Sequence, residues 1–254
     1  MAPSFDLSEK RALVTGGGSG LGLAIAQGLA QAGALVTISG RNVRKLDDAA
    51  SRLRSEGHDI RTVAFDVTDR SAVLEHVARI EASSGAIDIL VNNAAVNKRG
   101  AFDTFAEGDW HDLMAANLHG PFHVTQAVVR GMKARRSGKI VNICSIASDL
   151  GRPNIVPYAS SKGGLKQLTR ALAVELAPYN VQVNGIVPGF FRTEMNAGLM
   201  EDAQFSAWVE KRTPAGRWGD PPEIAGAAVF LASPAADYVT GAMLHVDGGF
   251  AASY

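Results

Sequence analysis

Residues 11–33 read RALVTGGGSGLGLAIAQGLAQAG, a short aliphatic strand followed by a glycine-rich turn and a helix that stops at Gly33. A strand, a glycine turn and a helix in this order are typical of dinucleotide-binding folds. The glycines let the backbone turn tightly and approach a pyrophosphate, whose charge is met by N–H groups at the start of the helix. They stand at Gly16, Gly20 and Gly22, not in a G-x-G-x-x-G pattern. We therefore predict a variant nucleotide-binding turn, with a flexible loop that binds nothing as the alternative.

Strands and helices alternate along the rest of the chain, without repeats or linkers. This alternation predicts an α/β fold, in which one Rossmann-like, doubly wound parallel sheet of about seven strands has helices on both faces. We expect a single domain over residues 1–254. The predicted strands cover residues 11–15, 34–39, 60–65, 87–91, 139–144, 181–187 and 242–246, and the predicted helices cover residues 21–33, 42–56, 69–83, 109–135, 157–177 and 221–232.

The composition is that of a soluble globular protein, with 46% apolar and 20% charged residues. Because 25 Lys and Arg residues balance 25 Asp and Glu residues, no net charge attracts nucleic acid or an anionic membrane. No apolar run approaches the roughly twenty residues of a membrane span, and the start of the chain lacks the apolar core of a signal peptide. The one cysteine, Cys144, allows no internal disulfide. We expect a cytoplasmic protein that binds neither nucleic acid nor membranes.

The ends of the second and third predicted strands indicate which dinucleotide would bind. About twenty residues past the glycine turn, an NAD-binding fold usually offers an acid to the ribose hydroxyls. This chain has Arg41 there and no acid before Asp47. A guanidinium suits a 2′-phosphate, so NADP(H) is favoured and NAD(H) is the alternative, whereas a solvated arginine would indicate neither. Asp66 ends the third strand, where it would accept a hydrogen bond from adenine or form a turn.

A candidate proton-transfer site lies in residues 140–162, IVNICSIASDLGRPNIVPYASSK. They predict a buried strand, an irregular loop and a helix that opens at Pro157. Tyr158 and Lys162 are one helical turn apart, and an ammonium beside a phenol lowers the phenol pKa from about 10. Ser145, at the end of the strand, is placed to hydrogen-bond the same substrate oxygen. By itself the Tyr-x-x-x-Lys spacing also suits an ordinary surface helix.

Polar residues in two further segments bear on the site. Asn93 follows the fourth strand, and its amide is suited to tying neighbouring loops together. Asn117 lies inside the helix predicted over residues 109–135, where it indicates either a distorted helix that frees a backbone carbonyl or a surface residue. His119 and His123 have a metal-binding spacing but no third ligand, so we expect no metal site.

Residues 190–219 are irregular in composition and too long for a simple connection. This length predicts a lid over the ligand. The dinucleotide-binding part would therefore span about residues 10–145, and the catalytic helix and the lid would span about residues 146–254.

Short motifs run through the chain in a fixed order: Thr15-Gly16-x-x-x-Gly20-x-Gly22, Asp66, Asn92-Asn93-Ala94, Asn117, Ser145, Tyr158-x-x-x-Lys162, and Pro188-Gly189 with Thr193. In this order they resemble the classical short-chain dehydrogenase/reductase family over essentially the whole chain. The resemblance implies NAD(P)-dependent hydride transfer, with Tyr158 as the general acid/base. Lys162 would lower the pKa of that tyrosine and hold the nicotinamide ribose. Ser145 would orient the substrate oxygen, and Asn117 would anchor a water.

The resemblance also implies which residues line the cofactor site. One departure concerns Ala95, because the family usually has glycine at that position. The expected cofactor-binding residues are Gly16, Gly18, Ser19, Gly20, Leu21, Gly22, Arg41, Asp66, Val67, Asn93, Ala94, Tyr158, Lys162, Pro188, Gly189, Phe191 and Thr193.

Within this family, three segments are similar to gluconate 5-dehydrogenases: SGRN at residues 39–42, NICSIASDLGRP at 142–153 and FSAWVEKRTPAGRWG at 205–219. This similarity implies a small-molecule sugar acid or polyol substrate, gluconate or 5-keto-D-gluconate first, and a homotetramer. The same chemistry on 3-oxoacyl-carrier-protein or another ketone is the alternative. A non-catalytic nucleotide-sensing protein is the alternative of another class.

Basic side chains follow the fourth and fifth predicted strands, where substrate would bind. A sugar acid carries a carboxylate, which arginine recognises through two parallel hydrogen bonds. We expect Arg99, then Arg152, to bind that carboxylate, together with Ser145 and Tyr158 on the reacting oxygen. The alternative is that both arginines are ordinary loop charges in solvent.

Overall fold

Seven parallel strands form the centre of the computed structural model, which describes residues 4–253. In chain order, these strands are β1 (Arg11–Thr15), β2 (Leu35–Gly40), β3 (Ile60–Ala64), β4 (Ile89–Asn92), β5 (Gly138–Ile143), β6 (Val181–Pro188) and β7 (Met243–Val246). The helices between and after them are α1 (Gly20–Gln31), α2 (Val43–Ser55), α3 (Arg70–Ser84), α4 (Glu107–Met114), α5 (Gly120–Arg135), α6 (Val156–Leu176), α7 (Ala197–Met200), α8 (Ala203–Arg212) and α9 (Ala225–Ala232).

The strand order in the sheet is β3-β2-β1-β4-β5-β6-β7. Strands β1 to β3 are added in one direction and β4 to β7 in the other, so the strand order reverses between β1 and β4. Strand β1 pairs with β2 on one side, Ala12 opposite Val36, and with β4 on the other, Ala12 opposite Ile89. A doubly wound sheet binds its ligands outside the carboxyl ends of the strands at such a reversal. The predicted fold class is therefore confirmed, and the reversal fixes where a site is expected.

Helices cover both faces of the sheet, each over its own apolar core. Buried side chains of α1, α2 and α9 pack on one face, and those of α3, α5 and α6 on the other. Strands β5 and β6 are buried along their whole length, as expected of central parallel strands covered on both faces. None of the helices among residues 4–253 is long and apolar enough to cross a membrane.

The helix predicted over residues 109–135 is interrupted. A π-helical segment, Ala115–His119, separates α4 from α5 and contains the buried Asn117. This segment is the distortion that asparagine indicated, since its side chain bonds to a neighbouring loop and not to solvent. The alternative, a surface asparagine, does not hold, because Asn117 is completely buried. Elsewhere the bounds of the main strands and helices differ from the predicted ones by a few residues at most.

The segment predicted to be a lid, residues 190–219, leaves the end of β6 and returns to it. Its two ends are joined by backbone bonds from Gly219 N to Phe190 O (2.9 Å) and from Arg192 N to Gly219 O (2.9 Å). Helices α7 and α8 lie between these ends. Trp218 is almost completely buried and donates from Nε1 to Ser206 Oγ at 2.9 Å. The segment predicted to be a lid is therefore an ordered region whose two ends are hydrogen-bonded to each other.

Candidate functional site

The carboxyl ends of the central strands and the lid enclose a cavity of about 570 Å³, a volume typical of cofactor and ligand sites. Two predicted site residues do not line it. Gly18 packs instead against Lys45 and Leu46 of α2, and Asn117 lies behind the wall. The other predicted residues all line the cavity: Gly16, Ser19, Gly20, Leu21, Gly22, Arg41, Asp66, Val67, Asn93, Ala94, Arg99, Ser145, Arg152, Tyr158, Lys162, Pro188, Gly189, Phe191 and Thr193.

The glycine turn between β1 and α1 is shaped for close approach. Gly16 has φ +66°, which favours glycine, and a Cβ at Gly22 would lie 2.3 Å from Asn93 Nδ2. Ser19 precedes α1 without capping it through its side chain. The N–H groups of the first helical turn therefore face the cavity without a side-chain acceptor from Ser19. This geometry fits a bound pyrophosphate.

Asn93 holds the glycine turn against the end of β4. Its Nδ2 donates to Thr15 O at 3.0 Å and to Gly16 O at 3.1 Å, while Thr15 Oγ1 accepts from the backbone N–H groups of Asn93 and Ala94, each at 3.1 Å. The predicted role of asparagine in tying loops together is confirmed. Asn93 lines the cavity, but its amide N–H groups point to the turn.

Acidic and basic side chains meet at the ends of β2 and β3. Asp66 Oδ1 accepts from Thr68 N at 2.9 Å, which makes the predicted turn, while its Oδ2 lies 3.7 Å from Arg41 Nη1. The Arg41 side chain is 69% exposed. Lys45 on α2 pairs at 2.5 Å with Glu194 of the lid, so a second cation of this corner is already neutralised. Arg41 is thus the better placed of the two cations for a phosphate.

A buried polar chain fixes α6 relative to the sheet. Asn92 Nδ2 on β4 donates to Thr125 Oγ1 at 3.0 Å and to Asn142 Oδ1 on β5 at 2.8 Å. Asn142 Nδ2 in turn donates to Thr169 Oγ1 on α6 at 2.8 Å. Buried amides that are hydrogen-bonded in this way restrict the position of the elements that carry them. The helix with the predicted proton-transfer pair is therefore held to β5.

Ser145, Tyr158 and Lys162 converge at the end of β5. Ser145 Oγ accepts from Ala147 N at 3.1 Å, an interaction that orients the hydroxyl. Lys162 is buried, and its Nζ donates to Ile143 O at 2.7 Å. The same Nζ lies 5.9 Å from the centre of the Tyr158 ring. All three side chains line the cavity, so the predicted grouping is observed.

The expected direction of the tyrosine pKa is wrong for this geometry. Burial raises the pKa of Tyr158, and the neighbouring Ser145 hydroxyl opposes that shift only in part. Burial also lowers the pKa of Lys162 from 10.5 to about 8. Loss of solvation disfavours the charged form of both groups and is the largest cause of both shifts. At neutral pH the phenol is protonated.

Asn117 supports the site from behind. Its Oδ1 accepts from Val96 N at 2.8 Å, and its Nδ2 donates to Val96 O at 2.9 Å and to Ser161 Oγ at 3.1 Å. Ser161 lies next to Lys162 on α6. The side chain therefore joins the π-helical segment, the loop after β4 and α6, and it is fully used in doing so.

The three basic residues in the loops after β4 and β5 differ in their partners. Lys98 pairs with Asp109 at 2.5 Å and with Asp112 at 2.8 Å, which ties it to α4. Arg99 and Arg152 line the cavity and make no ion pair with any acid within residues 4–253. Burial lowers the pKa of both guanidinium groups, and Arg99 lowers that of Arg152 further. Arg99 and Arg152 thus bring positive charge to the cavity without a counter-ion from the described chain.

Aromatic residues form a part of the wall that the sequence did not reveal. Phe190 lies at the centre, with its ring centroid 5.4–5.9 Å from those of Phe205, Trp208, Trp218 and Phe250. The close spacing of aromatic residues in the lid segment was the sequence signal that could have predicted this cluster. Within residues 4–253 no group of His, Cys, Asp and Glu is suited to hold a metal, and Cys144 is buried, as expected of a small apolar residue.

Comparison with known proteins agrees with this geometry. A family model described as enoyl-(acyl carrier protein) reductase matches residues 16–251. Gluconate 5-dehydrogenase from Gluconobacter oxydans is 50% identical over 249 residues, 98% of this chain and 97% of the relative. 5-keto-D-gluconate 5-reductase from Escherichia coli is 48% identical over 245 residues, 96% of each chain.

A solved structure shares the whole fold as well. It is a gluconate 5-dehydrogenase from Burkholderia cenocepacia in complex with NADP and tartrate, with TM-score 0.96, 50% identity and coverage of 99% of both chains. The family model spans most of the sequence, and these relatives match it nearly from end to end. Together with the glycine turn and the arrangement of serine, tyrosine and lysine, these similarities show that the chain belongs to the short-chain dehydrogenase/reductase family of oxidoreductases.

Proposed function

We propose that this protein is an NADP(H)-dependent oxidoreductase that interconverts a sugar acid and its keto form, with gluconate and 5-keto-D-gluconate as the favoured pair. The observation that carries the proposal is the meeting of Ser145, Tyr158 and Lys162 with two guanidinium groups that have no acidic partner in the described chain. A proton-transfer group beside uncompensated positive charge suits a substrate with both a ketone or hydroxyl and a carboxylate. The names of the relatives described above support the same class of substrate.

The cavity fits NADP(H). The first turn of α1 would hold the pyrophosphate, Arg41 the 2′-phosphate, and Lys162 the nicotinamide ribose. Asp66 keeps one carboxylate oxygen, Oδ2, free of the Thr68 turn, and this oxygen would accept a hydrogen bond from adenine. When bound, the dinucleotide supplies the hydride donor or acceptor. The relative from Burkholderia cenocepacia, which was solved with NADP, supports this choice of cofactor.

Tyr158 would transfer the proton at the substrate oxygen. In reduction, its phenol donates a proton to the carbonyl oxygen as negative charge develops there, and the oriented Ser145 hydroxyl hydrogen-bonds the same atom. A raised tyrosine pKa keeps the phenol protonated at neutral pH, which suits this direction. In oxidation, the phenolate must accept the proton, so we expect oxidation to be favoured at alkaline pH.

The substitution Tyr158→Phe tests the proposal, because it removes the proton donor and keeps the ring. We expect turnover of gluconate with NADP⁺ to fall by about 10²–10⁴-fold, while the Kd for NADPH changes little. Turnover is followed by the absorbance of reduced nicotinamide, and binding by NADPH fluorescence. Unaltered turnover would overturn the assignment of Tyr158. A wild-type protein that binds NADPH but converts no member of a panel of sugar acids, polyols and ketones would be a nucleotide sensor.

Arg99 is the proposed partner of the substrate carboxylate, with Arg152 second. Arg99→Met keeps an unbranched apolar stem and removes the charge. Because charged hydrogen bonds contribute more than neutral ones, we expect the KM for gluconate to rise about 10- to 100-fold. The KM or competitive inhibition constant for sorbitol, which has the same number of carbons and no carboxylate, should stay nearly constant. Equal changes for the two compounds would refute the role of Arg99.

We further propose a cytoplasmic homotetramer, with α9 and β7 at one subunit interface. Strand β7 is at the edge of the sheet, and its residues are only partly buried apart from the exposed His245. The outer backbone groups of an edge strand are available for pairing or covering by another chain. The single, buried Cys144 is compatible with a reducing compartment.

A further inference from the structure

Arg152 is in contact with the lid as well as with the cavity. It lies in the loop between β5 and α6, and its guanidinium carbon is 5.0 Å from the centre of the Phe205 ring on α8. A guanidinium at this distance from an aromatic ring is attracted to it. The contact joins a residue of the substrate side to the first turn of a lid helix.

This ring is the main stabilising contact that the structure gives to the charge of Arg152. The side chain is partly buried and has neither a hydrogen bond nor an ion pair to another residue within 4–253. Arg99 repels it. Without the ring, the long side chain would gain freedom by turning its charge toward water. The position of Arg152 in the cavity therefore depends on Phe205.

Phe205 is itself held firmly. Its ring centroid lies 5.3 Å from that of Trp208, 5.7 Å from that of Phe190 and 6.5 Å from that of the buried Trp218. Asp202 caps the helix by accepting from the backbone N–H groups of Gln204 and Phe205. Because the base of the lid is closed by backbone bonds, the ring has a defined place relative to β6. The Phe205 ring can therefore hold the guanidinium of Arg152 in one position.

We propose that Phe205 is a positioning residue that holds Arg152 toward the carboxylate of the substrate, so that the lid takes part in recognising the charge of a sugar acid. This inference rests on the proposed function. Phe205 acts through Arg152 and not on the reacting atoms. Its removal should therefore weaken binding of a carboxylate and leave proton transfer at Tyr158 unchanged.

The test compares Phe205→Leu, which removes the ring, with Phe205→Tyr, which keeps it. With saturating NADP⁺, we expect Phe205→Leu to raise the KM for gluconate roughly three- to ten-fold with little change in kcat. The KM or inhibition constant for sorbitol should stay constant, and Phe205→Tyr should behave like wild type. Phe5→Leu, the same change at an exposed ring outside the cavity, is the control. It should leave the KM for gluconate and the KM or inhibition constant for sorbitol unchanged.

A double-mutant cycle separates positioning from general damage to the lid. If the ring acts through Arg152, adding Phe205→Leu to Arg152→Met should raise the KM for gluconate no further than Arg152→Met alone. Additive effects, or equal changes for gluconate and sorbitol in Phe205→Leu, would overturn the inference while leaving the proposed function intact. A wild-type enzyme that converts sorbitol but no sugar acid would instead refute the proposed function.

Discussion

Lys162 donates its hydrogen bond to the carbonyl of Ile143, and its ammonium is 5.9 Å from the centre of the Tyr158 ring. The four-residue spacing correctly places the two residues on the same face of α6, but it does not determine whether attraction or loss of solvation dominates. Both groups lie in the cavity wall, where removal from water disfavours charge. The tyrosine pKa rises and the lysine pKa falls. Their proposed functions as proton donor and buried cation follow from burial as much as from proximity.

The lowered pKa of Lys162 predicts how stability depends on pH. The folded value is about 8 and the ordinary value is 10.5. Between these values the unfolded chain binds more protons than the folded one, so the free energy of unfolding should rise with pH in this window, by at most about 3 kcal/mol. Below pH 8 the cost of burying the charged amine is fully present. This contribution should be absent from Lys162→Met.

Urea unfolding at several pH values between 8 and 10.5 measures this contribution as a difference. Wild type should gain stability relative to Lys162→Met as the pH rises. The same substitution at the exposed Lys211 serves as the control, and its profile should run parallel to that of wild type. Parallel profiles for wild type and Lys162→Met would show that the amine does not titrate in this range.

At the scale of single elements, the features that depend on local chemistry were predictable. Asn42 caps α2 by accepting from Lys45 N at 3.1 Å, and Asp69 caps α3 by accepting from the backbone N–H groups of Ser71 and Ala72. These bonds join residues two or three positions apart, so the sequence contains everything needed to expect them. The same holds for the glycine turn and for the order of strands and helices.

Features that depend on distant residues were not predictable. The structure pairs Lys98, in the loop after β4, with Asp109 and Asp112 of α4, residues 11 and 14 positions further along the chain. The aromatic cluster is a second case, since the lid and β7 separate Phe190 from Phe250 in the sequence, and only the tertiary fold brings the two rings together. Neither the ion pairs of Lys98 nor the contact between Phe190 and Phe250 corresponds to a motif or a periodic pattern in the sequence. The site was therefore predictable where motifs form it and unpredictable where side-chain packing forms it.

The whole molecule presents apolar side chains that its own fold does not cover. The ring of Phe122 on α5 and the side chain of Val174 on α6 are 45% and 78% exposed, and both helices lie on the same face of the sheet. Single exposed apolar residues are common, but a tetramer needs a second interface besides the one proposed at β7. We therefore expect the face formed by α5 and α6 to be that second interface.

Val174→Glu tests this expectation, because a carboxylate buried between apolar helices costs several kcal/mol in lost solvation. Light scattering after size-exclusion chromatography should give wild type the mass of four chains of 26.7 kDa each, and Val174→Glu a smaller assembly with an unchanged circular dichroism spectrum. Val43→Glu, the same change at a 56% exposed valine on α2, should remain tetrameric. A monomeric wild type would refute the tetramer, whereas a tetrameric Val174→Glu would place the second interface on another face.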